Sequence, residues 1–284
     1  MFRGLGFCLF FFIYFLFLFS LLYFCAAFHW VWAGLGLTLV RDLVTLLEGE
    51  LPGDHLRTGA IVFEVVVRSD GVLVRYEDEA GAVRAVLADA VAMCCPKFVV
   101  ARILDGIEPE RAAAIQSLRY RSYLLANVLL TTEVEPSFYD LFLADVDPSR
   151  ATDVVMATWA KPVPGHTVLT LYRGLPYDGA RATLLTPSAH QQVAADFERQ
   201  IREQVLPALG VDPQHLAGVR LTRWGHPLPL AAVGLLADGV PEKLRQPFQG
   251  RVFFVEQDNW ALPAIETALG EAAHFAPQIR AALG

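Results

Sequence analysis

The segment from Gly250 to Leu269 constrains the fold more than any other part of this chain. Gly250-Arg251 leads into Val252-Phe253-Phe254-Val255, followed by Glu256-Gln257-Asp258-Asn259-Trp260, then Pro263 and an Ala-rich stretch carrying Glu266. A short run of β-branched and aromatic residues after a Gly turn is the pattern of a buried strand. A proline opening an Ala-rich run with an acid in its first turn is the pattern of a helix start. A strand end, the Asp258 carboxylate and a helix N-terminus are thus set side by side. In an α/β protein that is a place for a polar ligand, because strand ends and free helix amides converge there.

A second constraint lies at the other end. No Asp, Glu, Lys or Arg occurs between Arg3 and Arg41, and the run that begins at Phe7 and ends at Phe28 is almost purely apolar. A bilayer core needs about 20 such residues as a helix. Tyr23, His29, Trp30 and Trp32 supply an aromatic belt at its C-terminal end. The run predicts one N-terminal transmembrane helix and a membrane localisation, with the orientation left open. A cleaved secretory signal, with Arg3 as its charged start and Cys25 and Ala27 before the cut, is one alternative. A misassigned gene start is another. The length of the apolar run favours the uncleaved anchor.

The rest of the composition excludes more than it assigns. With 284 residues the chain holds one large or two modest domains. A net charge of -7 with no basic stripe argues against nucleic acid. Cys8 and Cys25 sit in the apolar run, and the adjacent pair Cys94-Cys95 precedes Pro96. None has zinc or redox spacing, so the pair reads as small buried strand-end residues. Glu271 and His274 have the spacing of a carboxylate-bridged metal site, but the second copy and further Glu that such a site needs are missing. No metal is expected. There is no Gly-x-Ser-x-Gly elbow, no His-Glu-x-x-His and no phosphate-binding loop, which leaves hydrolase and nucleoside-triphosphatase chemistry unsupported.

Periodicity predicts a helix over 37–47, then strands over 60–67, 72–76 and 83–87 joined by turns at Ser69-Asp70-Gly71 and Glu79-Ala80-Gly81. A further apolar strand runs to Pro96. Helices are expected over 108–118 and, most clearly, 188–206. Strands are expected over 123–131, 138–143, 154–159, 167–172 and 219–224. The strand–helix unit from Arg251 to Leu283 closes the chain.

Several stretches then match, in order, the motifs of one family. Leu56-Arg57-Thr58-Gly59-Ala60-Ile61-Val62-Phe63-Glu64-Val65, Asp89-Ala90-Val91-Ala92-Met93-Cys94-Cys95-Pro96, Arg223-Trp224 followed by Pro227, Asp258, and Leu262-Pro263-Ala264-Ile265-Glu266 carry the likeness. Together they resemble the flavin-containing amine oxidase and phytoene-desaturase-like oxidoreductases over about residues 34 to 284. The resemblance implies FAD as cofactor. It places Val62 on the strand that meets the adenine end, Pro96 where the chain leaves for the substrate domain, and Trp224 on the strand that returns beside the flavin. It puts Asp258 at the ribityl or pyrophosphate part, and Pro263, Ala264, Ile265 and Glu266 at the flavin's pyrimidine edge. The implied fold is mixed α/β (α+β). A partial FAD-binding domain at 37–101 and 219–284 encloses a mixed-sheet substrate domain at 102–218, preceded by the transmembrane segment at 1–36.

Two departures from the family pattern matter. Glu256-Gln257 stand where the family has small Ala-Gly, which lets backbone approach the cofactor closely. The family's N-terminal G-x-G-x-x-G unit is absent; Gly4-x-Gly6 and Gly34-x-Gly36 lack its third glycine and its distant acid. The resemblance therefore implies an N-terminally incomplete FAD-dependent oxidoreductase acting on an apolar or amine substrate, weak or inactive alone. The alternative is a membrane-anchored non-enzymatic remnant or binding subunit of the same fold. Asp258 also reads as a turn acid, Glu266 as a first-turn acid serving the helix dipole, and His226 as a structural residue in a Gly-Pro loop. Trp159, Tyr172, Trp224 and Trp260 read either as a substrate pocket or as core. No catalytic base is assigned.

Overall fold

The computed structural model describes Thr45, Gly49 and residues 55–283, except Pro136, Ser137, Asp145, Val146, Pro148, Ser149, Ala160, Lys161, Tyr177 and Asp178. The expected transmembrane run at 7–28 lies outside the described residues, and so does nearly all of the expected helix at 37–47. Among the described residues no helix is long and apolar enough to cross a membrane. From residue 55 onward the chain divides into two compact units, one built from the stretch up to Arg119 together with Leu228–Gly284, the other from Tyr120–Pro227.

The first unit opens with an antiparallel meander of β1 (Ile61–Arg68), β2 (Gly71–Glu77) and β3 (Val83–Ala88). Its inward positions alternate as a half-buried sheet requires: Val65, Val72, Val74 and Tyr76 are buried. Arg68 pairs with Gly71, so Ser69-Asp70 form the two-residue turn that the sequence predicts. Gly71 has φ 151°, and a Cβ there would lie 2.7 Å from the Ala88 carbonyl oxygen. Only glycine fits. At the next turn Asp78 Oδ1 accepts the backbone N–H of Ala80 and Ala82 at 3.0 and 2.9 Å, an Asx turn that tightens the chain before β3.

Beside the meander is a parallel pair, β4 (Val91–Met93) and β10 (Val252–Phe254), with Val91 opposite Val252 and Met93 opposite Phe254. All six residues are buried, as strands covered on both faces must be. The strand expected to reach Pro96 ends at Met93, because its partner offers three residues to pair with. Cys94 and Cys95 come next as buried free thiols. Pro96 then precedes α1 (Lys97–Ile103). α2 (Pro109–Ser117) has proline at its first position and Glu110 in its first turn.

The second unit is a five-stranded sheet in the order β6-β7-β8-β5-β9: β5 (Arg119–Leu130), β6 (Asp140–Phe142), β7 (Asp153–Met156), β8 (Thr167–Gly174) and β9 (Leu216–Leu230). One face of β5 presents Leu124, Ala126, Val128 and Leu130, each at most 1% exposed. They pack with Leu169 and Leu171 of β8 against Phe197, Ile201 and Val205. Each buried Leu, Val, Ile or Phe side chain among them contributes about 1.5–3 kcal/mol. The helical wall begins with α3 (Ala180–Leu184) and α4 (Pro187–Gln200). Thr186 caps α4 by accepting the Ala189 N–H at 3.2 Å. α4 runs on through a π turn, Ile201–Val205. Gln200 there clamps the Ala151 backbone, accepting its N–H at 3.0 Å and donating to its carbonyl at 2.7 Å.

β9 is longer than the sequence suggests, continuing past Gly225 through Pro227 and Pro229. The two prolines share a parity, so both lack their donor on the same side of the strand. Among the described residues β9 is the last strand of its sheet, the position where prolines are tolerated.

Back in the first unit, α5 (Val240–Arg245), a 3-10 turn at Gln257–Trp260 and α6 (Ile265–Ala282) complete the chain.

Candidate functional site

The parallel pairing brings the C-terminal ends of β4 and β10 together. The Val255 N–H extends the ladder to the Met93 carbonyl at 2.9 Å. The segments that leave the two strand ends are therefore adjacent: Pro96-Lys97 after β4, and Glu256 with the 3-10 turn after β10. This is the crevice at strand ends where α/β proteins take ligands.

A buried polar network fills the inner side of that crevice. Lys97 is 1% exposed, and its ammonium donates to Glu256 Oε1 and to Asn259 Oδ1 while lying 5.0 Å from the centre of the Phe254 ring. Glu256 Oε2 accepts the Asp258 N–H at 2.6 Å. Asp258 Oδ2 accepts the Lys97 backbone N–H at 2.9 Å. Asn259 donates to the Phe254 carbonyl at 2.8 Å and to Glu271 of α6. Glu271 receives the two-pronged guanidinium of Arg245 at 3.0 and 2.9 Å and the Trp260 indole N–H at 2.8 Å. Arg245 also lies 4.6 Å over the Trp260 ring.

Burial pushes the Glu256 carboxyl up to about 8, and the neighbouring Asp258 charge pushes the same way against the pull of Lys97. Burial also tends to raise Glu271, but its bonds from Arg245, Trp260 and Asn259 outweigh that and hold it below the usual range. The Cys94 thiol is driven up to about 12 by burial and then by the Glu256 charge, so it is not a nucleophile at neutral pH. The Cys95 thiol is raised for the same reasons.

Outside this network the start of α6 faces solvent. Its N-cap is Ala264, which makes no side-chain capping bond. Leu262 and Ile265 are 57% and 45% exposed. Free first-turn amides beside apolar surface suit the polar edge of a planar ring. A flavin therefore fits this end of the crevice.

Of the residues singled out from sequence, Pro96, Asp258, Pro263, Ala264, Ile265 and Glu266 are all placed here by the β4–β10 pair. Asp258 is 1% exposed, with one oxygen turned to the Lys97 backbone. Val62 is half-buried on β1 in the same unit, just before a bulge in the β1–β2 register. Trp224 belongs to the second unit, where it is buried 6.4 Å from Tyr123. Tyr123 in turn stacks on Tyr172 at 4.7 Å. Burial and the Asp153 charge raise the Tyr172 hydroxyl to about 12. Trp159 is 48% exposed and meets Tyr139 edge-on, and His226 meets Tyr120 in the same way.

Glu256, which stands where the family pattern has a small residue, turns inward to Lys97. Glu271, weighed as a metal ligand, is taken up by Arg245, Asn259 and Trp260. Among the described residues no group of three or more His, Cys, Asp or Glu could hold a metal ion. Sequence reasoning missed Lys97, Asn259 and Arg245 altogether. The available signal was a lysine directly after an apolar strand and proline, where solvent is remote.

The chain matches the family described as flavin containing amine oxidoreductase over residues 18–256, a span that stops just short of Asp258. It is 25% identical over 214 residues to the oxidoreductase PigB of Serratia sp. (strain ATCC 39006), which covers 72% of this chain and 31% of that protein. The fold is similar to a putative protoporphyrinogen oxidase from Exiguobacterium sp. 255-15 (TM-score 0.59, 18% identity, 86% of this chain and 51% of that one). It is also similar to cyclohexylamine oxidase from Brevibacterium oxydans IH-35A (TM-score 0.57, 17% identity, 82% and 52%). A putrescine oxidase variant gives a TM-score of 0.61 at 17% identity over 84% and 52%. The chain spans about half the length of these solved structures and about a third of the curated relative.

Proposed function

This chain belongs to the flavin containing amine oxidoreductase family, and from that membership we propose that it forms the flavin-facing part of an FAD-dependent oxidoreductase acting on an apolar or amine substrate. The observation that carries the reading is the exposed, uncapped start of α6 at the C-terminal end of a parallel strand pair. FAD, when bound, supplies the acceptor for a hydride taken from a C–N or C–C bond. The chain's own residues bind and orient it. The first-turn amides at Ile265 and Glu266 receive the polar edge of the ring, Pro263 and Ala264 set their direction, and Leu262 and Ile265 keep water from the ring edge. The family resemblance gives Val62 the adenine end of the cofactor and Pro96 the point where the chain leaves for the substrate domain. Trp224 stands on β9, the strand that the family pattern sets beside the flavin.

The sequestered Asp258 favours a second reading, a binding subunit of the same fold without turnover, because its carboxylate is already used inside the chain. Titration of the purified chain with FAD separates the two. A ligand selective for the folded state raises stability by about 2.7 kcal/mol at a hundredfold excess over its dissociation constant. A rise in melting temperature with flavin retained on gel filtration supports the oxidoreductase reading. A colourless protein with an unmoved melting temperature points to the second.

We also propose that the run from Phe7 to Phe28 anchors the chain in a membrane, on the strength of its length and lack of charge. Release of the chain into the supernatant by alkaline carbonate would sink this.

A further inference from the structure

Lysine is almost never fully buried unless paired, and a buried pair is seldom better for stability than apolar residues of the same size. Stability alone therefore does not explain why Lys97 and Glu256 lie 1% and 2% exposed against one another. What they accomplish is geometric. Lys97 ties the end of β4 to Glu256 and Asn259, Glu256 holds the Asp258 N–H, and Asp258 returns to the Lys97 N–H. These bonds close on the turn Gln257–Trp260.

Ala261, next in the chain, carries a second and independent sign of constraint. It has φ 49°, a left-handed conformation that a non-glycine residue adopts only where its surroundings enforce it. It is 1% exposed and immediately precedes Leu262, the first residue of the ligand-facing segment. Asn259 and Trp260 then hand the constraint to Glu271 in α6 itself.

We propose that Lys97 and Glu256 are positioning residues of the flavin half-site, holding the strained Gln257–Ala261 turn so that the Ile265 and Glu266 amides meet the ligand in one preset conformation. This rests on the reading that the start of α6 faces flavin. The pair touches no ligand. It acts through Asp258, Asn259 and Glu271, with Cys94 and Cys95 as the other ionisable groups facing Glu256.

The test compares the full native chain with Lys97→Met, Glu256→Leu and the double variant. Hydrogen exchange across residues 257–266 is followed without ligand, beside the melting temperature, and FAD affinity is measured next. Each single variant leaves a buried polar group without its partner and melts lower. The double variant removes both groups, so its melting temperature returns toward the native value. Its 257–266 amides nevertheless exchange about ten- to a hundredfold faster, the equivalent of one lost charge-assisted hydrogen bond, and FAD affinity falls by a similar factor.

Native-like protection of 257–266 in a double variant of recovered stability overturns the proposal, since apolar packing alone would then set the turn. Should the double variant fail to fold, Glu256→Gln decides. It keeps one acceptor and is expected to exchange measurably faster than native; exchange identical to native overturns the proposal. A native chain that takes up no FAD defeats the functional reading, while the exchange comparison still decides the positioning role.

Discussion

Glu256 is the residue whose chemistry depends most on where the fold has put it. Its carboxyl is raised from 4.5 to about 8, first by burial and then by Asp258. The folded chain thus holds this proton more tightly than the unfolded chain does. The associated stability is fully present below pH 4.5 and is lost as the pH climbs through about 8. We expect the melting temperature to fall between those limits, and Glu256→Gln to flatten that part of the profile. An unchanged slope in the Gln variant would assign the titration elsewhere.

Glu271 behaves in the opposite sense. Its bonds from Arg245, Trp260 and Asn259 outweigh burial and lower it, so its contribution is present above the ordinary glutamate range and is lost on acidification. Glu271→Ala leaves Arg245 without its two-pronged partner and empties the hub between the turn and α6. A loss of about 3 kcal/mol is expected, measured by urea unfolding at neutral pH.

At the scale of elements, local rules that are visible in the sequence do most of the placing. Thr186 before Pro187 starts α4, and Thr186→Ala is expected to cost about 1 kcal/mol by removing the Ala189 N–H acceptor. Gly71→Ala forces a Cβ toward the Ala88 carbonyl at 2.7 Å and a φ that alanine resists. It should cost more, about 2 kcal/mol or above by denaturant melt.

The meander, α2, α4 and the closing strand–helix unit are legible in the sequence because alternation, turn glycines and helix-opening prolines are local signals. α1 is not, since Lys97-Phe98-Val99-Val100 reads as the tail of an apolar stretch and its helical start depends on Asp258, 161 residues away. β9 is legible only as far as Trp224, because prolines break strands unless the strand lies at an edge, and edge position is a property of the assembled sheet. The same limit hides the inward turn of Glu256. A carboxylate after a strand looks free to meet a ligand until its lysine partner is placed. The start of α6 is the part of the site that sequence describes well, because proline, alanine and glutamate at a helix start carry their geometry with them.

At the scale of the whole molecule, the second unit is organised around one apolar core between its sheet and helices. Leu171 is fully buried between sheet and helix, and Leu171→Ala is expected to cost about 2–5 kcal/mol by transfer and cavity together. The first unit is assembled from two separated stretches of chain, and its β4–β10 pair and Lys97 network both depend on the last stretch. A chain ended at residue 250 is therefore expected to keep the amides of the second-unit sheet protected from exchange. The meander and β4 should lose their protection.

That dependence also gives the fold an order in time. Asp258 follows Lys97 by 161 positions, a stretch that takes on the order of ten to thirty seconds to synthesise at about 5–20 residues per second. The continuous unit can close as it leaves the ribosome. Through that interval Lys97 is already made and has no carboxylate to meet, so this buried pair closes only after the whole second-unit stretch has been synthesised.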